Sequence, residues 1–188
     1  SLKIKSFQHD EKNSLVQDYY DLGARTTYND AIVSLFHAVL DEPVFDILRT
    51  KEQLAYSIGI VHRELDNSHL TVIKVKCQED KFSAKFVADR VRNFFINDMK
   101  VIFENLEDEK FQKIKEGKIR PLREPFQSFN SESYYNLGQI SDGTYIFDEY
   151  EKQAVVLERI TKQDLIDFYT RVFILERHRN LNIQIVGN

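Results

Sequence analysis

The sequence is poor in residues that cross-link, break or span. It has one cysteine, Cys77, so no disulfide can close within the chain and nothing in it is built for an oxidising compartment. Three prolines and six glycines in 188 residues leave no flexible linker and no low-complexity tract. No internal repeat shows at a solenoid period. No apolar run approaches membrane-spanning length, and no charged-then-apolar leader opens the chain. A soluble segment is expected, in the cytoplasm or alternatively in the mitochondrial matrix or another organelle. The chain opens on Ser1 and its only methionine is Met99, so a piece of a longer protein is expected. Lys and Arg number 26 against 30 Asp and Glu, a net charge of −4 that disfavours nucleic acid and anionic membrane as partners.

The ready-made catalytic motifs are missing too. There is no G-x-S-x-G elbow, Gly-rich phosphate loop, dinucleotide fingerprint, C-x-x-C pair, H-E-x-x-H or H-x-x-E-H. No complete catalytic site is expected in this chain.

What is present is enough apolar material, 42% of residues with 12% aromatic, to fill one core. Residues 14–21 read as a strand, and 29–41 switches to helical spacing through Ile32, Leu35, Phe36, Val39 and Leu40. Pro43 suits the first turn of a second helix ending near Gln53. Residues 54–62 and 70–77 read as the strands of a hairpin whose connector ends in Asp66, Asn67 and Ser68. A wide apolar stripe over 82–104, including Phe94 and Phe95, predicts a helix lying on the sheet. A charged helix over about 107–120 should stop near Pro121. Helices follow at 130–141, 149–158 and 162–174, the last capped by Thr161 with Asp164 three residues on. A strand closes the chain at 181–187. This order predicts a single α+β domain over 1–188, with helices covering one face of a mostly antiparallel sheet.

Few residues carry chemistry. The histidines are His9, His37, His62, His69 and His178. A four-residue turn would set His69 opposite Glu64, with His62 on the same face: a His, Glu, His metal set, or an ordinary solvated hairpin tip, which is the preferred reading. Lys113, Lys115, Lys118, Arg120 and Arg123 form either an anion patch or, preferred, a solvated helix face. Cys77 reads as a buried, inert thiol. Between helix and strand lies Leu48-Arg49-Thr50-Lys51-Glu52-Gln53-Leu54-Ala55-Tyr56. Arg49 offers a fork of donors and Tyr56 a phenolic O–H, suited to a carbonyl turning into an oxyanion. Equally, Arg49 could satisfy the last carbonyls of its helix while Tyr56 packs against a core edge.

That nine-residue segment resembles the L-R-T-K-E-Q-L-G-Y segment of the insulinase family of zinc metallopeptidases. Glu42-Pro43, Phe45, Phe111-Gln112-Lys113, Tyr145-x-Phe147-Asp148 and the run from Leu157 to Tyr169 agree with it, so the likeness extends from about residue 10 to the end. The resemblance implies the last of four homologous domains, two halves of which close around a chamber for peptides. Family zinc is held by an inverted H-x-x-E-H motif in the first domain, so the implied cofactor is zinc bound by the N-terminal half, with no metal ligand in this segment. It further implies that Arg49 and Tyr56 reach the substrate backbone near the scissile bond. The implied partners are the N-terminal half of the same protein and a peptide substrate, with a homo-oligomer left open. The fragment is expected to be inactive alone and its parent to be a zinc-dependent metalloendopeptidase. The alternative is a non-catalytic relative acting as scaffold or peptide-binding partner, with an independent binding module ranked below both. Two departures stand out. Ala55 replaces the family's Gly and would be strained if the position needed positive φ. Phe126 and Gln127 follow Pro125 where polyanion-regulated members carry lysines, which leaves Arg120 as the remaining candidate for such a site.

Overall fold

A computed structural model of the chain describes residues 1–65, 67–175 and 179–188; Asp66 of the expected connector and His178 lie outside the described residues. The second strand shows how the sheet is made two-faced. In Asn13–Ala24 (β2) every second side chain from Ser14 to Leu22 is buried and those between are half-buried, as the two-residue period of a strand requires. Its neighbours are Ser68–Gln78 (β4) and Asn180–Val186 (β5), both antiparallel. Ser57–Leu65 (β3) pairs with β4 at one edge. At the other edge, Leu2–Lys5 (β1) pairs parallel with β5, giving the order β1-β5-β2-β4-β3. Strand β1 is an addition to the sequence reading: four residues are too few for alternation to stand out from background.

Helices Thr27–Pro43 (α1), Ala84–Asn93 (α2), Met99–Glu104 (α3), Asp108–Arg123 (α4), Phe129–Ser141 (α5), Glu149–Arg159 (α6) and Lys162–Tyr169 (α7) complete the chain. The core lies between the sheet face carrying Val16, Tyr20, Ile73 and Val75 and the apolar faces of α1, α2 and α7. Phe36 of α1 is fully buried, stacking on Phe173 at 5.2 Å and meeting Phe168 edge-on at 5.7 Å. Tyr169 donates its hydroxyl to the Phe95 carbonyl at 2.6 Å, so a buried polar group is satisfied within the core. The cap on α7 forms as expected: Thr161 accepts from the Asp164 N–H, and the Asp164 carboxylate accepts from the Thr161 N–H.

Two helical readings are corrected and a third is refined. The first long helix is not two: α1 runs through Pro43 directly into a π-wound segment, Val44–Lys51. Pro43 removes one donor and crowds the preceding turn, and the wider i to i−5 spacing resumes the bonding beyond it. The 82–104 stripe is likewise α2, a π-wound turn at Phe94–Asp98, and α3. The wider turn allows the adjacent Phe94 and Phe95 both to be buried. Finally, α4 ends near Pro121 as expected but takes the proline inside, running two residues on to Arg123. The carbonyl displaced by the ring belongs to Gly117, which is exposed, so the freed carbonyl is open to solvent.

Candidate functional site

The segment joining α1 to β3 is built to present two side chains outward. Leu48 and Leu54 are both buried and anchor its two ends, with the Leu54 N–H donating to the Leu48 carbonyl at 3.0 Å. Between the anchors, Glu52 bonds back to the Ile47 carbonyl at 3.0 Å, and Gln53 takes a left-handed backbone with φ 50°. That reversal releases the chain into β3. Ala55 has no positive φ, so the alanine is unstrained and the left-handed residue is Gln53 two positions earlier.

Tyr56 stands 91% exposed, so it does not pack against the core edge. The Arg49 guanidinium lies 4.5 Å from the Phe45 ring centroid and 6.0 Å from that of Tyr56. No carboxylate pairs with Arg49 among the described residues. An unpaired guanidinium held beside a nearly free phenol is chemically available to a ligand. The two face a groove of about 640 Å³ that also takes in Lys76 and Lys81, with Phe82 as apolar wall. No Asp or Glu is among the lining residues; Lys76 faces the Glu11 carboxylate at 3.8 Å from outside the groove, and Arg49 and Lys81 keep the groove electropositive in a chain of net charge −4. Such a surface can donate several hydrogen bonds to carbonyl or carboxylate oxygens. No His, Asp or Glu lines it to take a proton from a nucleophile.

Most of the other candidates have structural partners. The hairpin register does set Glu64 opposite His69. Glu64, however, pairs with Arg25 at 2.8 Å, His69 bonds Asp30, and His62 stacks on His37 with centroids 3.3 Å apart. Among the described residues, no three His, Cys, Asp or Glu side chains come together so as to hold a metal ion. On α4, Lys113 pairs with Glu109, Arg120 with Glu124 and Arg123 with Glu158, while Lys115 reaches the Glu158 and Ile160 carbonyls. Cys77 is buried, and burial and then nearby Glu79 push its thiol up, away from the reactive thiolate.

Sequence reading missed three features that only folding assembles. Lys76 and Lys81 join the groove because β4 ends beside the start of β3, and a charge on a strand or in the turn after it carries no such signal on its own. His37 is buried with its Nε2 2.7 Å from Thr71 Oγ1, and burial, then His62, His69 and Lys118, lowers its pKa to about 2. Asp18 is buried on β2, where burial raises its pKa to about 6 even though Asn182 donates to it at 2.7 Å.

The family model described as PQQ synthase PqqF-like, C-terminal lobe domain 4, matches residues 35–136. A nardilysin-like protein of Arabidopsis thaliana is 36% identical over 166 residues, covering 87% of this chain and 16% of its own length. An insulin-degrading enzyme of Drosophila melanogaster is 32% identical over 179 residues, 94% of this chain and 18% of its own. The crystal structure of pitrilysin matches with a TM-score of 0.76 at 18% identity, over 98% of this chain and 19% of that one, a likeness of fold. The chain therefore spans less than a fifth of the length of each of these proteins.

Proposed function

We propose, from the premise that this chain belongs to the PqqF-like C-terminal lobe domain 4 family among the insulinase-type zinc peptidases, that it holds substrate in a longer zinc metalloendopeptidase. In this reading it is the last of four homologous domains and faces an enclosed chamber that admits peptides. Among the described residues, no cluster of His, Cys, Asp or Glu fits the family's metal. Zinc is therefore assigned to the N-terminal half of the longer protein, and no step below runs through it.

The observation that carries the reading is the pairing of an exposed Tyr56 with an Arg49 that has no carboxylate partner among the described residues, at the mouth of a groove lined by donors. A peptide laid in the groove presents a carbonyl oxygen to the Tyr56 O–H and the Arg49 N–H groups. As its carbon is attacked, charge grows on that oxygen and both hydrogen bonds strengthen. Donors fixed before the reaction stabilise this charge without reorganising, so they lower the barrier more than they tighten ground-state binding. The groove's lack of carboxylates removes the groups that would repel the developing oxyanion.

The test uses the full-length protein and a quenched fluorescent peptide. Tyr56→Phe and Arg49→Met are each expected to lower kcat by roughly 10² to 10³, with KM moving no more than about threefold. Unchanged turnover in both variants defeats the assigned role. A folded parent that cleaves no peptide in a panel, with zinc supplied, instead marks a scaffold or peptide-binding relative.

A further inference from the structure

The turn between Arg49 and Tyr56 poses a problem that the chain solves from a distance. Glu52 sits three residues after Arg49, at the end of the same π-wound segment, and both side chains are long enough to reach across the turn. A free carboxylate there would pair with Arg49 and occupy the donors that the groove needs. The structure shows where that carboxylate goes instead. Arg90 of α2 grips it with two hydrogen bonds, Nε to Oε2 at 2.8 Å and Nη2 to Oε1 at 2.5 Å. The same Nη2 lies 2.7 Å from the Asp98 carboxylate. The Arg90 side chain is 16% exposed and its two carboxylate partners 33% each, so these ion pairs are only partly screened by water.

Arg90 itself is rigidly placed. Its helix is seated on the sheet by Val87 and Val91, both fully buried, and capped at its start by Ser83. A planar fork fixes both position and angle of the carboxylate, which a lysine's point charge does not. The grip also falls one residue before the left-handed Gln53, a backbone state that persists only when its surroundings hold it.

We propose that Arg90 is a positioning residue for this site: its fork on Glu52 withholds that carboxylate from Arg49. The inference rests on the proposed role of Arg49 and Tyr56, and it predicts a rescue that a merely structural residue would not show. In the full-length protein, Arg90→Met is expected to lower kcat/KM at least tenfold, mostly through kcat, because the released Glu52 pairs with Arg49. Adding Glu52→Gln removes the competing charge, so the double variant Arg90→Met/Glu52→Gln is expected to regain most of that loss although the fork is still absent. Arg90→Lys, which keeps charge without the fork, should fall between wild type and Arg90→Met and serves if the methionine variant does not fold. Full activity in Arg90→Met, or in Arg90→Lys where that variant stands in, overturns the inference. So does a double variant no better than Arg90→Met. Arg49→Met measured alongside separates the two ideas. If it leaves cleavage intact, the proposed function fails; if it impairs cleavage while the Arg90 variants do not, only the positioning role fails.

Discussion

Replacing His37 with glutamine is expected to remove about 1.4 kcal/mol of acid destabilisation for each pH unit below 6.5. His37 is buried, its ring stacked on His62 and bonded to Thr71. The charged groups near it are His62, His69 with its Asp30 partner, Asp41 beside His62, and Lys118. Burial comes first among the causes, followed by unfavourable interactions with His62, His69 and Lys118. The folded imidazole therefore stays neutral down to about pH 2, whereas in the unfolded chain it protonates near its ordinary value of 6.5. Between those limits the unfolded state binds the extra proton. The stability contributed by a neutral His37 is complete above pH 6.5 and is lost as pH falls toward 2. By pH 4.5, wild type should have lost roughly 3 kcal/mol relative to His37→Gln, taking their difference at pH 7 as zero. Glutamine keeps a polar group near Thr71 while removing the titration. Urea unfolding of both chains at the two pH values measures this, and a difference that does not change with pH refutes it.

Asp18→Asn should show the opposite pH dependence. Asp18 lies on the core face of β2, 2% exposed, with Oδ1 bonded to Asn182 and Oδ2 lacking a partner among the described residues. Burial is the main cause that lifts its pKa from 3.8 to about 6; Asn182 and then Arg92 pull against it. The folded state therefore keeps the carboxyl proton to higher pH than the unfolded state does. Stability is complete below pH 3.8 and is lost as pH rises through about 6, a change of about 3 kcal/mol. Asparagine is nearly isosteric and carries no charge to bury. The variant should gain about 3 kcal/mol on wild type between pH 3.5 and pH 7.5, read by the same unfolding curves. The two slopes oppose each other from pH 6 down to 3.8, so in wild type they nearly cancel there. Each single variant exposes the other's slope. A wild-type chain and both variants with parallel pH profiles would contradict both assignments.

Neither residue could be singled out along the chain, although the elements carrying them could. The alternation of β2, the apolar spacing of α1 and the Thr161 cap are local patterns, set by the period of a strand or helix and by hydrogen bonds within three residues. They lead to the α+β sandwich directly. Departures arise where a distant contact outweighs a local rule. Pro43 and Pro121 remain within helical segments because packing and solvent accommodate the lost bonds, and β1 exists because β5 offers it an edge. The same division runs through the site. Arg49 and Tyr56 sit in one contiguous segment and can be found there. Arg90 is 38 residues from Glu52, and nothing in its own surroundings marks it.

By itself, then, the sequence determined the class of fold, the family resemblance and the pair of donors, since each depends on neighbours in the chain. The tertiary structure decided whether those donors are usable. It turned Tyr56 outward, gave Glu52 to Arg90 instead of Arg49, set Lys76 and Lys81 around the groove and buried His37 and Asp18. Charge pairing and desolvation depend on distance in space, and that distance exists only once the sheet has brought β3, β4 and α2 together.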